Sequence, residues 1–271
     1  MTIAQTAAPR FDMGRVVKRT LSVTGKNFGV FALLSVLSGL TSAAMVAAGN
    51  QFGADIQAGG FPTLNTILVL VIWVLLYLAS AMLLQGGVIH GAVASLNGRR
   101  ASIADCLSTG LKYLWPMSLI GLLATLGVMA AAVLLIVPGI ILMVMWACVG
   151  PACVVEHTGV SGAFRRSADL TRGHRWPIFG LYVAYIISMF VIFFVIGFLV
   201  GIVIGFGVAA YTQDAAAATA SASTSATELV GGAINTMLSL ITGSAFSAST
   251  YYELREIKEG IGPEALASVF D

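Results

Sequence analysis

The sequence predicts an all-α integral membrane protein with six transmembrane helices in three hairpins, each hairpin preceded by a cytoplasmic amphipathic helix. Three observations lead there. Of 271 residues, 58% are hydrophobic and 10% charged, and mean hydropathy is +0.94. Soluble domains are about 45–50% apolar and about one quarter charged. The chain also divides into six long uncharged runs, close to the ~20 residues a helix needs to cross a hydrocarbon core. Finally, all 14 Lys and Arg fall on one side of a six-span arrangement.

The first span runs from about Phe28 to Ala48. A polar, basic segment, residues 1–27, precedes it, the apolar run is too long for a signal peptide, and no clear small-residue cleavage site follows, so it reads as a retained anchor. The second begins at Leu64, after Phe61-Pro62-Thr63, and stays uncharged to a helix-ending Asn97-Gly98. That is too long for one upright crossing, so it must tilt, protrude, or break near Gly86-Gly87. The third span covers Trp115 to Val137, and Pro138-Gly139 is the expected turn into a fourth, Ile140 to Val155. The fourth is short and carries Pro151, which predicts a kink or an incomplete crossing. The fifth runs from Pro177 to Ala210; Thr212 to Thr227, rich in Ala, Ser and Thr, reads as a mobile loop. The sixth, Leu229 to Tyr251, continues as a charged helix to Gly260. Residues 1–271 thus form a single membrane domain, with 252–271 a cytoplasmic C-terminal segment.

Orientation follows from the cations, which bias flanking loops to the cytoplasm. They precede span one, lie between spans two and three and between four and five, and follow span six. This predicts a bacterial inner-membrane protein with both termini cytoplasmic. Cys106, Cys148 and Cys153 have no metal-ligand spacing and read as reduced packing residues.

Each odd-numbered span follows an amphipathic segment, which suggests a threefold repeat. Around residues 14–26 the apolar arc is Met13, Val16, Val17, Thr20, Leu21 and Val23, opposite Arg15, Lys18, Arg19 and Lys26. Around 160–172 it is Val160, Ala163, Phe164, Leu170 and Thr171, opposite Arg165, Arg166, Asp169 and Arg172. The middle copy places Ile103, Leu107, Leu111 and Leu114 against Asp105, Ser108 and Lys112. Phe28, Trp115 and Trp176 follow the three segments as interface aromatics. Such helices are expected to lie along the leaflet, with Phe164 and Leu170 toward acyl chains.

Two stretches, PGIILMVMWACVGPACVVEHTGVSGAFRRSADLTRGHRWPIFGL from Pro138 and YYELREIKEGIGPEALASVFD from Tyr251, carry a family resemblance. They resemble the bacterial multispan family that includes the membrane domain of glycerophosphoryl diester phosphodiesterases and the YciC-type inner-membrane proteins. In the fused members, the resemblance implies, hydrolysis belongs to a separate soluble barrel. That barrel has no counterpart in this sequence, so no catalytic residue carries over.

Candidate sites come with bland alternatives. Lys18, Arg19, Arg165, Arg166, Arg172 and Arg175, with His174 nearby, could bind lipid phosphates, each contributing about 1 kcal/mol beside an anionic leaflet. Equally, the arginines could only set topology while pairing with Glu156 and Asp169. Gly197, Gly201 and Gly205 form a small-residue stripe in span five, and Asn235, Ser239, Gly243 and Ser247 form one in span six. The two stripes are expected to pack together within one monomer, with homo-oligomerisation through the glycines as the alternative.

Nucleophile elbows, phosphate loops, paired carboxylates and zinc spacings are missing, which points away from an enzyme, a cofactor or a metal. Basic clusters this close to the spans argue for membrane phospholipids as partners and against nucleic acid. No Asp, Glu, Lys or Arg lies mid-span, unlike ion-coupled carriers. The expected function is therefore non-enzymatic: association with anionic lipid, in envelope lipid organisation or as a membrane scaffold. The alternative is a transporter or translocase for a lipid or small amphiphile, which a continuous polar cavity would favour.

Overall fold

A computed structural model describes residues 11–211 and 216–260; for Gly205, residues 207–211 and residues 216–225 it describes the backbone alone. The described secondary structure is entirely helical: α1 Met13–Lys26, α2 Phe28–Gln57, α3 Leu64–Leu96, α4 Ile103–Leu134, α5 Ile136–Met145, α6 Val149–Glu156, α7 Gly159–Thr171, α8 Arg175–Tyr211 and α9 Ala216–Glu259. Six stretches are long and apolar enough to cross a membrane: α2, α3, α4, α5 with α6, α8, and α9 from Ala226.

Several helix ends differ from expectation for physical reasons. Span one does not stop at Ala48. Nothing in the following residues breaks a helix until Gly59, whose φ of +75° ends α2 in the left-handed conformation that glycine tolerates best. α3 passes unbroken through Gly86-Gly87, because these glycines are a contact rather than a hinge. A Cβ on Gly87 would lie 2.5 Å from the Cys106 carbonyl oxygen, and one on Gly110 would lie 2.3 Å from that of Leu83. α3 and α4 therefore cross backbone to backbone. The supposed turn at Pro138-Gly139 is instead the first turn of α5, where proline's missing N–H needs no partner. The chain reverses at Leu135, the single extended residue between α4 and α5.

Part of the stretch expected to be mobile is helical, since α9 begins at Ala216; alanine is the best helix former. Residues 212–215 lie outside the described residues, as do 261–271 of the C-terminal segment. The middle amphipathic segment is not a separate helix, because α4 runs without a break from Ile103 past Pro116. Its buried face is Cys106, Gly110, Tyr113 and Met117, as the crossing with α3 requires. The expected arc of Ile103, Leu107 and Leu111 is exposed.

The core is gathered at one end of the bundle. Phe31, Ile89, Met117, Leu170, Ile178, Ile241, Tyr251 and Leu254 are all fully buried or nearly so, and they bring the start of α2, the end of α3 and the end of α9 together. The other halves of α3, α4 and α8 are covered with exposed Leu, Ile, Val and Phe, and none of the most apolar window of α8 is buried. That surface suits a hydrocarbon phase. Hydroxyls link the helices across it, as Ser80 meets Ser38 at 3.2 Å and Thr41 at 2.9 Å, and Ser42 meets Thr236 at 2.9 Å.

Candidate functional site

The fourth crossing is a broken helix. α5 and α6 are separated by Trp146, Ala147 and Cys148, a break that comes before Pro151 and not at it. Pro151 has no N–H to offer the carbonyl four residues earlier, that of Ala147. Two hydroxyls take that place, Ser247 Oγ at 2.8 Å and Tyr182 Oη at 3.3 Å. The Met145 carbonyl likewise accepts from Ser167 Oγ at 2.8 Å, and the Cys148 N–H donates back to Ser167 at 3.1 Å. Backbone opened at membrane depth must be satisfied in this way, and such breaks accompany binding sites in membrane proteins.

A cavity of about 570 Å³ borders the break. Thioethers of Met82, Met117, Met129 and Met143 make much of its wall, and Gln85, Thr125, Tyr182 and Ser247 supply polar points. Its lining includes the exposed Thr125 and Met129. A second cleft of about 450 Å³ lies between α5 and α8, walled by Val137, Ile140, Ile141, Val144 and Phe179, with Arg175 and Trp176 also lining it. Its apolar character and its cation meet in one place.

The basic end holds the predicted cations in two states. Arg19 reaches Glu253 and Glu256, each at 2.7 Å, and so ties α1 to α9. Arg166 chelates Glu156 at 2.8 and 2.9 Å and also pairs with Glu259, while Tyr251 donates to Glu156 at 2.6 Å. Partial burial alone would disfavour the Arg166 cation, but its two carboxylate partners outweigh that and hold it firmly charged. Pairing with Glu156, the bland alternative, is thus what Arg166 does, whereas Lys258 meets Asp169 only at its backbone carbonyl. Lys18, Arg165, Arg172 and Arg175 are exposed.

α7 does not lie with its apolar arc in lipid. Ala163, Ser167, Leu170 and Thr171 are buried against the protein, and Phe164 packs edge-on to Trp146 with centroids 5.0 Å apart. The expectation that Phe164 and Leu170 face acyl chains is therefore corrected. The break at Trp146–Cys148 offers that face a polar seat, which Ser167 and Thr171 occupy.

The small-residue stripes are not the close seam. A Cβ on Gly197 would meet nothing within 4 Å, and one on Gly201 only Thr227 Cγ2 at 3.9 Å; the surroundings of Gly205 lie outside the described residues. On α9, Gly243 faces Tyr185 Oη, which a Cβ would approach to 3.3 Å. Ser239 bonds the Asn235 carbonyl at 2.7 Å, while Asn235 Oδ1 is buried without a partner. Gly243 and Ser247 line the larger cavity, so this stripe borders space. Sequence reasoning missed Tyr182, Ser167 and Thr171. Hydroxyls within otherwise apolar faces, close to a proline-containing span, were the available signal. Cys106, Cys148 and Cys153 are free and buried.

The description "Domain of unknown function (DUF7847)" matches residues 28–254. The chain belongs to the DUF7847 family. The matched region opens at the first residue of α2 and closes within the charged end of α9, so the DUF7847 unit contains the first five long apolar stretches, most of the sixth, and the broken helix, but not α1. No curated protein matches the chain, and no solved structure does.

Proposed function

We propose that this DUF7847 protein is a non-enzymatic, multi-pass protein of the bacterial inner membrane that associates with anionic phospholipid, in envelope lipid organisation or as a membrane scaffold. The observation that carries this reading is the cleft in which Arg175 and Trp176 join Val137, Ile140, Ile141, Val144 and Phe179. It offers an anionic phospholipid both of its parts, a guanidinium for the phosphate and an apolar channel for an acyl chain. Exposed Lys18, Arg165 and Arg172 add favourable charge at the same end, at about 1 kcal/mol each beside an anionic leaflet. The resemblance of Pro138 to Leu181 to the membrane domain of glycerophosphoryl diester phosphodiesterases agrees with a lipid setting. In native mass spectrometry, the wild-type chain is expected to retain phosphatidylglycerol over phosphatidylcholine. Arg175→Gln with Phe179→Ser should weaken that preference. Retention indifferent to headgroup charge would sink the reading.

A second reading, a translocase for a lipid or small amphiphile, draws on the cavity beside the broken helix, whose wall is largely apolar with a few polar points. Fluorescent lipid moved between leaflets of proteoliposomes would select it over scaffolding.

The proposed topology puts both termini and every cation in the cytoplasm. In a chain lacking the three native cysteines, Ala54→Cys should react with an impermeant thiol reagent on spheroplasts, and Arg100→Cys should not. Leu135→Cys should also stay unreacted. The α4–α5 tip, Val133 to Val137, consists of apolar side chains 65–85% exposed, and such a tip belongs in hydrocarbon, not water. Labelling at Arg100→Cys would invert the topology.

A further inference from the structure

We propose that the groove between α1 and the end of α3 binds a lipid headgroup carrying two phosphates, an inference that rests on the anionic-lipid reading above. The groove holds about 370 Å³ and is lined chiefly by Arg15, Lys18, Arg19, Ser22, Lys26 and Ser95. Five of these come from α1, at spacings of three, four, seven and eleven residues from Arg15, which is one stripe of a helix.

The other faces of α1 set the depth at which this stripe lies. At 100° per residue, Val16, Thr20 and Val23 form a second face, buried against the protein. Val17 and Leu21 form a third, 44% and 68% exposed. A helix with an apolar outer flank beside a basic edge rests at the boundary between acyl chains and headgroups. Phe28, exposed at the start of α2, marks the same level. Headgroups can therefore enter the groove from the side, with their acyl chains passing along Val17 and Leu21.

The charge balance defines the ligand. Glu253 and Glu256 match Arg15 and Arg19, and Asp12 lies 3.9 Å from Arg15, so these two guanidinium groups are held in place with their charge balanced. Among the described residues, Lys18 and Lys26 have no carboxylate partner, so two of the groove's four cations are unpaired. These lysines are eight residues apart, about 12 Å along the axis. One phosphate would reach both only if the two side chains converged on it; two phosphates joined by a short linker can take one lysine each, with the Ser22 hydroxyl between them as a donor. Cardiolipin has that form. Soluble pyrophosphate shares the charge without the acyl chains, and α1 lies before the family match, so the groove forms where the chain outside that match meets the chain inside it.

The test uses the full chain with mixed cardiolipin and phosphatidylglycerol, read by native mass spectrometry. Wild type should retain cardiolipin preferentially, and Lys18→Gln/Lys26→Gln should lower its retention about tenfold or more. Arg100→Gln/Lys112→Gln should leave it unchanged, and Lys18→Arg/Lys26→Arg should preserve it. The glutamine pair should unfold at the wild-type temperature, since both lysines are exposed; if it does not, the arginine pair and pyrophosphate competition still decide. The inference is overturned if retention ignores the lysine pair, if the control pair reduces it equally, or if pyrophosphate at equal concentration displaces the lipid. A chain that retains anionic lipid regardless of both lysines defeats the groove and leaves the Arg175 cleft standing. A chain that retains none defeats both.

Discussion

Gly110→Val is expected to abolish recovery of folded protein, and Gly87→Val to come close to it. Even the Cβ alone would stand 2.3 Å from the Leu83 carbonyl oxygen at Gly110 and 2.5 Å from that of Cys106 at Gly87. Those atoms are helix backbone and cannot rotate away, so α3 and α4 must separate. Overpacking a core costs about 1–3 kcal/mol when side chains can adjust, and more when they cannot. Separation would also disturb Phe31 and Cys106, which lie 2.8 and 2.9 Å from where a Cβ on Gly91 would stand. The clash at Gly110 is with backbone, so the loss there should exceed that range and take a large share of a typical total stability of about 5–15 kcal/mol. The sign reverses at Gly197, where the space is open. Gly197→Ala should be neutral or slightly stabilising, because alanine gains up to about 1 kcal/mol over glycine inside a helix. Thermal unfolding in detergent with size-exclusion chromatography reads both. If Gly197→Val proves as damaging as Gly110→Val, the close crossing has been misplaced.

These two glycine sets show what a sequence pattern can carry. Small residues four apart permit close approach, but the pattern contains no information about which helix, if any, accepts the offer. Gly197 and Gly201 make the more regular stripe, yet the first stands in open space and the second meets only Thr227 at ordinary contact distance; Gly87 and Gly91, inside a span that looked too long, make the close contact. The six apolar stretches themselves were legible because a bilayer sets a length and composition that local sequence alone can meet. Break points were harder to place. Pro138 and Pro151 each occupy the first turn of a helix, and proline marks a turn and a helix start equally well. The seating of α7 was also ambiguous, since an apolar arc looks the same whether it faces acyl chains or protein. Ser167 and Thr171, both on the buried face of α7, were the distinguishing sign. In hydrocarbon their hydroxyls could turn only to their own helix, as Thr171 does to the Ser167 carbonyl at 3.0 Å, whereas the broken fourth crossing also supplies the Met145 carbonyl. Of the proposed headgroup cations, the sequence located the cluster but could not separate Arg19 and Arg166, held by carboxylates, from the exposed remainder. That division depends on where the end of α9 returns.

Arg19→Met is expected to destabilise the protein more than Glu253→Gln, although the two groups form one ion pair. The Glu253 side chain is 0% exposed, whereas Arg19 is 22% exposed. Glu253 accepts from Arg19 at 2.7 Å and lies 3.6 Å from Arg15, with a weak contribution from the Asp12 N–H at 3.4 Å. Losing Arg19 leaves a buried carboxylate with only long contacts, and breaking a buried pair from one side costs about 3 kcal/mol. Losing the Glu253 charge leaves Arg19 with Glu256 at 2.7 Å, the Tyr252 ring 4.8 Å below it, and access to water. That change should cost only about 1 kcal/mol, the usual net worth of a hydrogen bond. Combining the two changes removes the stranded charge, so the double variant should be more stable than Arg19→Met alone. A double-mutant cycle of thermal unfolding would measure this recovery. Strictly additive losses would mean that Glu253 finds other partners and that the pair does not hold α1 onto the end of α9.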